Sequence, residues 1–381
     1  MGGYAGALQQ MKVLHVIGGG EFGGAERHIL TLFRAVNPKE VILEAVSLFP
    51  APFAPVAREA GMKVTVLPMR NKLDLGVVWR LKGIVAAGGY DLVHTHGVRA
   101  NFLGRLAARA VGLPVVTTVH SLLTQDYPSP FSRMVNIFSE RLTRGFTARF
   151  IAVSGFLAAA LEKEGVPRER ITVVRNGIEV DIPGKEKPVI FRERFGLPED
   201  APLVATVGRL HRVKGHRYFV AAAGRVLERH PQARFLVIGS GPERAAIEEQ
   251  VRRLGLQGKV ILTGFIQDVI RHYREFALLV LPSVAEGFGL VVLEALLSGT
   301  PVVATRVGGV PEVVRDGETG ILVPPKDASA LATAIERVLE NPAAAQEMAA
   351  RGRDFVAREF SAARMAAGTL AVYRGVLEAD G

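Results

Sequence analysis

Short apolar, β-branched runs alternate along this chain with longer segments whose apolar positions recur every three or four residues. The first pattern predicts strands and the second predicts amphipathic helices. Their regular alternation predicts an α/β fold with parallel sheets. In the first half, strands are expected at Lys12–Ile17, Val41–Leu48, Lys63–Leu67, Leu92–Thr95, Val115–Val119, Phe150–Val153 and Ile171–Val174. The polar stretch Asp181-Ile-Pro-Gly-Lys-Glu-Lys-Pro188 then interrupts the pattern as a linker does. Strands resume at Leu203–Val207, Phe235–Ile238, Val260–Thr263, Leu278–Leu281, Pro301–Thr305 and Gly320–Val323. Two such sheets, each with its own helices, make a pair of Rossmann-like domains. The expected division is a disordered extension at 1–10, a first domain at 11–180, a linker at 181–200, a second domain at 201–360 and a terminal helix at 361–381.

On parallel sheets of this kind ligands bind outside the carboxyl ends of the strands, so chemistry is sought just after each strand. Pro282-Ser-Val-Ala-Glu-Gly-Phe-Gly-Leu-Val-Val-Leu-Glu294 occupies such a place and leads into a helical run, Leu290 to Leu297. Free amides at a helix start attract anions, which makes the backbone of Phe288, Gly289 and Leu290 a phosphate or sugar cradle. Glu286 and Glu294 flank it; beside a phosphate, carboxylates suit hydroxyl hydrogen bonds rather than the phosphate itself. Each also has a plain structural reading, as a solvated loop acid and a surface helix acid.

Val207-Gly-Arg-Leu-His-Arg-Val-Lys-Gly215 follows the first strand of the second domain. Arg209 and Lys214 can converge there on one anion, Arg with a planar fork of donors and Lys with a compact charge. His211, Arg212 and His216 read as bystanders. Ile238-Gly-Ser-Gly-Pro-Glu243 and Thr263-Gly-Phe-Ile266 are further strand ends, the former with Pro242 suited to a first helical turn. In the first domain Gly18-Gly-Gly-Glu-Phe-Gly-Gly-Ala-Glu26 is a glycine-rich turn opening a helix, and Thr118-Val-His120 ends a strand. His94 and His96 lie on one strand face at i, i+2. No third ligand is evident from the sequence, so a metal is not expected. Ser154 reads as a helix N-cap and Asn176-Gly as a turn.

The spacing from Glu286 to Glu294, with its glycines and strand–loop–helix context, resembles the Glu-x7-Glu signature of family 4 retaining glycosyltransferases. The resemblance runs over nearly the whole chain from Met11. It implies the GT-B fold, two Rossmann-like domains facing each other across a cleft, with the terminal helix returning to the first domain. It also implies transfer of a sugar from a nucleotide diphosphate to an acceptor. By resemblance Glu286 contacts the donor sugar, Glu294 the ribose, and Arg209 and Lys214 the leaving diphosphate, in the pattern Gly-Arg-x4-Lys-Gly. Gly241 falls near the nucleotide, Phe265 or Ile266 near the base, Gly24 near the diphosphate and acceptor, and His120 beside the donor sugar. The catalytic set is then Arg209, Lys214, Glu286 and His120.

Composition narrows the picture further. No apolar run reaches eighteen residues, so no transmembrane helix is expected. The absence of Cys excludes disulfides and thiolate chemistry and fits a cytoplasmic enzyme. Residues 1–180 carry 21 Lys/Arg against 13 Asp/Glu, and residues 181–381 carry 26 against 24. The basic first half lacks nucleic-acid motifs, and an anionic membrane surface or acceptor accounts for it. Within Pro130–Arg144, Phe131, Val135, Phe138 and Leu142 form an apolar stripe with Arg133, Arg141 and Arg144 beside it. This suits either a core-facing helix or one lying on a membrane. A lipid-linked or glycan acceptor in cell-envelope or polysaccharide biosynthesis is therefore expected, and the family resemblance implies a UDP-sugar as donor and no cofactor. The location is cytoplasmic, peripheral on the inner face of the plasma membrane. The alternatives are a small soluble acceptor such as a sugar phosphate, or a non-catalytic nucleotide-sugar binder. A nicotinamide dehydrogenase is disfavoured because no ribose-binding acid closes Val41–Leu48.

Overall fold

The computed structural model describes residues 10–20, 22–69, 74–122, 130–180 and 191–380. They form two compact units, Met1–Gly177 with Ala362–Gly381, and Ile178–Ser361. All thirteen expected strands are present within a residue or two of their expected ends. The first seven are β1 Met11–Ile17, β2 Val41–Ser47, β3 Lys63–Val66, β4 Leu92–His96, β5 Val115–Val119, β6 Arg149–Ala152 and β7 Ile171–Val173. They make a parallel sheet in the order β3-β2-β1-β4-β5-β6-β7. The remaining six are β8 Leu203–Val207, β9 Arg234–Ile238, β10 Val260–Gly264, β11 Leu278–Leu281, β12 Val302–Thr305 and β13 Ile321–Val323, in the order β10-β9-β8-β11-β12-β13. In both sheets strand order reverses beside the first strand, between β1 and β4 and between β8 and β11. That reversal opens a crevice at the carboxyl ends of those strands.

The first sheet is covered on both faces, which is why its strands read as nearly continuous apolar runs. Leu14, Val16 and Val93 pack in one layer with Val77, Leu81 and Val85 of the helix Gly76–Ala87 and with Leu103 and Ala107 of Val98–Arg109. Val13, Ile17 and Leu92 face the other layer, with Ile29 and Leu32 of the helix Gly24–Ala35 and Met365, Leu370 and Tyr373 of the terminal helix Ala362–Asp380. The terminal helix therefore belongs to the first unit and completes its core.

Residues 1–9 and 181–190, most of the expected extension and half of the expected linker, lie outside the described residues. The other half of the linker is not a linker: Phe191–Phe195 is a short helix, and Phe191 is buried against Phe276 and His272 of the second unit. Pro242 sits in a turn two residues ahead of the helix Arg244–Arg253 rather than in its first turn.

Within the expected segment Pro130–Arg144 a helix forms at Pro130–Thr143, and its inward face carries polar contacts. Arg105, fully buried, binds Glu140 at 2.6 Å and Thr143 at 3.3 Å, while Asn101 binds Glu140 at 3.2 Å. With 100° per residue, Val135, Phe138 and Leu142 then fall on the opposite side. All three are exposed, Phe138 by 67 %, and Met134 and Phe146 add to them. The core-facing reading of this stripe is thereby corrected. The side chains of Phe131 and Arg133 lie outside the described residues.

Candidate functional site

In the second unit the crevice beside β8 is built from two loops locked together by backbone contacts. After β8, residues 208–215 close through the amides of Val284 and Ala285, which donate to the carbonyl of Val213 at 2.7 and 3.2 Å. Gly215 has φ +67°, and a Cβ there would lie 2.0 Å from the carbonyl oxygen of Pro282, so no other residue fits. The carbonyl of Arg209 accepts from Nε2 of His216 at 3.1 Å, and burial pushes the His216 pKa down to about 4. His216 is thus a neutral strut for the Arg209 backbone and not the bystander expected. The Arg209 side chain itself is exposed.

Lys214 and Glu286, placed 72 residues apart in sequence, meet as an ion pair with Nζ–Oε2 at 2.6 Å, both largely shielded from solvent. Ser283 Oγ donates to the same oxygen at 3.3 Å, which leaves Oε1 of Glu286 and two N–H directions of Lys214 for a ligand. Just beyond, Gly289 starts the helix Leu290–Leu297 in a left-handed conformation and sets the amides of that start at the end of β11. Glu294 is buried, not a surface acid, and accepts from Tyr273 Oη at 3.0 Å. Phe288 is buried against Phe360, so only its backbone is available to a ligand. Phe265 presents an exposed ring, whereas Ile266 is buried. Gly241 lies on the Leu210 backbone, tying the turn after β9 to that after β8.

Sequence reasoning missed the turn after β12. A Cβ on Gly308, at φ +54°, would sit 1.6 Å from the carbonyl oxygen of Glu286, so this turn forms the floor under Glu286. Thr305 Oγ1 adds a 2.6 Å bond to the carbonyl of Ser283. The signal was available, since Gly308-Gly309 is one more glycine pair directly after a strand.

In the first unit the crevice beside β1 is of another kind. Gly24 is exposed at the start of its helix, where Glu26 Oε2 accepts from the Gly23 amide at 3.0 Å. Glu21 of the same loop lies outside the described residues. Below it, five of the nine histidines of the chain gather on one sheet face. His15 pairs in register with His94 across β1 and β4, and His96 follows on the same face. His120 after β5 and His28 from the helix Gly24–Ala35 complete the group, with ring centroids 4.2 to 5.8 Å apart between neighbours. Burial pushes His15 down to about 3 and His28 to about 4, and holds His94, His96 and His120 well below their ordinary value. All five are neutral at pH 7.

The statement that His94 and His96 lack a third partner is corrected, because His15 brings a third imidazole. Yet each nitrogen of these three rings already has a hydrogen-bond partner, so the donor set fits a hydrogen-bonded network better than a metal. Asn176 is more than a turn residue, since its Oδ1 meets His28 Nδ1 at 2.8 Å. Ser154 does cap a helix, accepting from the Leu157 amide at 3.2 Å.

Two parallel-sheet units with glycine turns at both strand-order reversals, one lined by paired charges and helix-start amides, define a GT-B glycosyltransferase. Residues 22–182 match the model of Glycosyltransferase Family 4 and residues 190–355 that of Glycosyl transferases group 1. The D-inositol 3-phosphate glycosyltransferase of Acidothermus cellulolyticus is 34% identical over 82% of this chain and 73% of its own length. The 2-deoxystreptamine glucosyltransferase of Streptomyces kanamyceticus is 33% identical over 75% and 78%. Among solved structures, HepE of Anabaena superposes with TM-score 0.84 at 23% identity, over 96% of this chain and 100% of that one. The sucrose-phosphate synthase of Thermosynechococcus elongatus gives 0.82 at 26%, over 97% and 100%. This chain belongs to glycosyltransferase family 4.

Proposed function

We propose that this protein is a retaining, metal-independent glycosyltransferase that moves a sugar from UDP to an acceptor hydroxyl. The observation that carries the reading is the Lys214–Glu286 pair, formed between the loop that holds Arg209 and the loop that leads into the helix Leu290–Leu297. Breaking the bond from the anomeric carbon to the diphosphate oxygen leaves negative charge on the diphosphate. Arg209, the open donors of Lys214 and the helix-start amides meet that charge where it develops. Glu286 Oε1 takes a hydroxyl of the donor sugar, Glu294 a ribose hydroxyl, and the exposed ring of Phe265 the base. The acceptor oxygen bonds to the face from which the diphosphate leaves, and a diphosphate oxygen takes the acceptor's proton. By the family resemblance alone, His120 is assigned to the donor sugar and Gly24 to the diphosphate. UDP is supported by HepE, which was solved with UDP and glucose. A thermal-shift comparison of UDP-, GDP-, ADP- and dTDP-sugars tests the donor, with the UDP-sugar expected to stabilise most. NMR of the product tests retention, and an inverted anomer or a trapped glycosyl adduct on Glu286 overturns it.

The acceptor we infer is lipid-linked, reached by a cytoplasmic enzyme bound at the inner face of the membrane in envelope or polysaccharide synthesis. No helix among the described residues is long and apolar enough to cross a membrane. Support comes instead from the helix Pro130–Thr143, whose buried side is polar and whose outer side shows Val135, Phe138 and Leu142, in the more basic half of the chain. Sedimentation with vesicles checks this: binding requires anionic lipid, weakens with salt and drops in Phe138→Ser. The same pelleting with neutral vesicles, or none with anionic ones, removes the membrane. A second reading, a small soluble acceptor such as a sugar phosphate, is favoured by the names of the relatives above. Transfer to inositol phosphate or to a hexose phosphate without lipid establishes it.

A further inference from the structure

Six polar side chains in the first unit form one unbranched line. His120 Nε2 meets His96 Nδ1 at 3.1 Å, and His96 Nε2 meets His15 Nδ1 at 2.9 Å. His15 Nε2 reaches Tyr373 Oη at 3.4 Å, Tyr373 Oη meets His94 Nδ1 at 2.6 Å, and His94 Nε2 meets Thr118 Oγ1 at 2.7 Å. A neutral imidazole carries one proton, so it donates at one nitrogen and accepts at the other. Tyr373 has a single hydroxyl hydrogen and stands between two rings.

Those two facts leave only two complete arrangements. If Tyr373 donates to His94, then His94 donates from Nε2 to Thr118 and His15 donates from Nε2 to Tyr373. His96 then donates from Nε2 to His15, and His120 from Nε2 to His96. If Tyr373 donates to His15, every one of the four rings carries its proton on Nδ1 instead. In both arrangements the four histidines share one tautomer. The line ends at His120 Nδ1, which is buried and has no hydrogen-bond partner among the described residues. An unpaired buried lone pair is easier to accommodate than an unpaired buried N–H, which favours the first arrangement.

We propose that His96, His15 and Tyr373 are positioning residues that fix His120 as the Nε2–H tautomer and keep its Nδ1 an acceptor for a hydroxyl of a sugar or for water. His28 adds a second acceptor beside it. Its Nδ1 faces the side-chain oxygen of Asn176 and so carries the proton, and its Nε2 is buried and unpaired among the described residues, on a ring 5.0 Å from that of His120. The mouth of the line thus offers lone pairs only. It suits a neutral hydroxyl donor and gives no hydrogen bond to phosphate oxygens. The Tyr373 anchor comes from the terminal helix, 279 residues beyond His94.

The ordering of the line does not depend on the role given to His120 above; its kinetic consequence rests on that reading. Side-chain 15N–1H NMR of the full chain labelled at histidine tests the ordering without any variant. His15, His94, His96 and His120 are expected as four neutral Nε2–H rings at pH 7, and His28 as Nδ1–H. Mixed tautomers among the four, or a charged ring, overturn the proposal. So does one equivalent of Zn²⁺ shifting His15, His94 and His96 together, which would make the group a metal site. In Tyr373→Phe the rings of His15, His96 and His120 are expected to change state together while His94 is uncoupled from them; independent behaviour of the three also overturns it. In that variant kcat is expected to fall roughly tenfold, the scale for losing a residue that orients a functional histidine, with donor KM within about twofold. Ordered rings in the wild type with an unchanged kcat in Tyr373→Phe would sink the role of His120 in turnover and leave the ordered line standing.

Discussion

The two units have like sheets and opposite crevices. Beside β8 the side chains carry charge, Arg209 exposed and Lys214 bound to Glu286. Beside β1 the polar groups are five imidazoles held neutral by burial. The strand-order reversal thus supplies only a place; the residues after each strand decide whether it handles ions or uncharged hydroxyls. On the proposed reading the charged crevice takes the diphosphate and the neutral one orders hydrogen bonds to uncharged hydroxyls.

Acid is expected to break this symmetry most severely. A buried histidine whose folded pKa lies below 6.5 gives stability that is complete above pH 6.5 and lost as pH falls toward the folded value, because only the unfolded chain takes up the proton. Each such group steepens the loss by up to about 1.4 kcal/mol per pH unit. Five together reach, within about two pH units, the ~5–15 kcal/mol stability of an ordinary domain. The first unit, with five such histidines, is therefore expected to open between about pH 6.5 and 4 and ahead of the second, in which burial pushes down His216. Hydrogen exchange of peptides from β1, β4 and β5 against β8 and β9 reads this; equal protection of both units at pH 4.5 would count against it.

Removing charge from the second crevice comes next. Arg209→Ala and Lys214→Ala are each expected to lower kcat on the order of 10²–10³, as loss of a donor to developing charge does. Steady-state kinetics decide, and wild-type rates in both would cancel the diphosphate assignment. Gly308→Ala sharpens the comparison through the backbone. Its Cβ overlaps the Glu286 carbonyl, so a loss of about 1–3 kcal/mol in urea unfolding is expected for the second unit alone. The smallest expected effect is that of EDTA: turnover stays unchanged, and a loss restored by Mg²⁺ or Mn²⁺ would contradict the metal-independent reading.

Much of this was legible from the sequence because the strands are short, β-branched and buried on both faces, and because glycines follow them. Local spacing singles out Arg209, Lys214, Glu286 and Glu294 as candidates, and the structure brings Lys214 and Glu286 into contact. What could not be read was the pairing of residues far apart in the chain. His15 looked like one residue of an apolar strand, yet it meets His96 at a separation of 81 and Tyr373 at 358. His216 likewise gave no sign of holding a carbonyl. The outward turn of Val135, Phe138 and Leu142 depends on Arg105, a buried cation whose partners no periodicity announces.

The terminal helix has a further consequence during synthesis. Translation delivers the strands of the first unit, then the whole of the second, and only afterwards Ala362–Asp380 with Met365, Leu370 and Tyr373. Until those residues leave the ribosome, one face of β1 and β4 has the helix Gly24–Ala35 over it but not the terminal helix, and His15 and His94 meet water instead of Tyr373. The second unit, continuous in sequence, can fold while the first still waits. The part of the chain made first is the last to be finished.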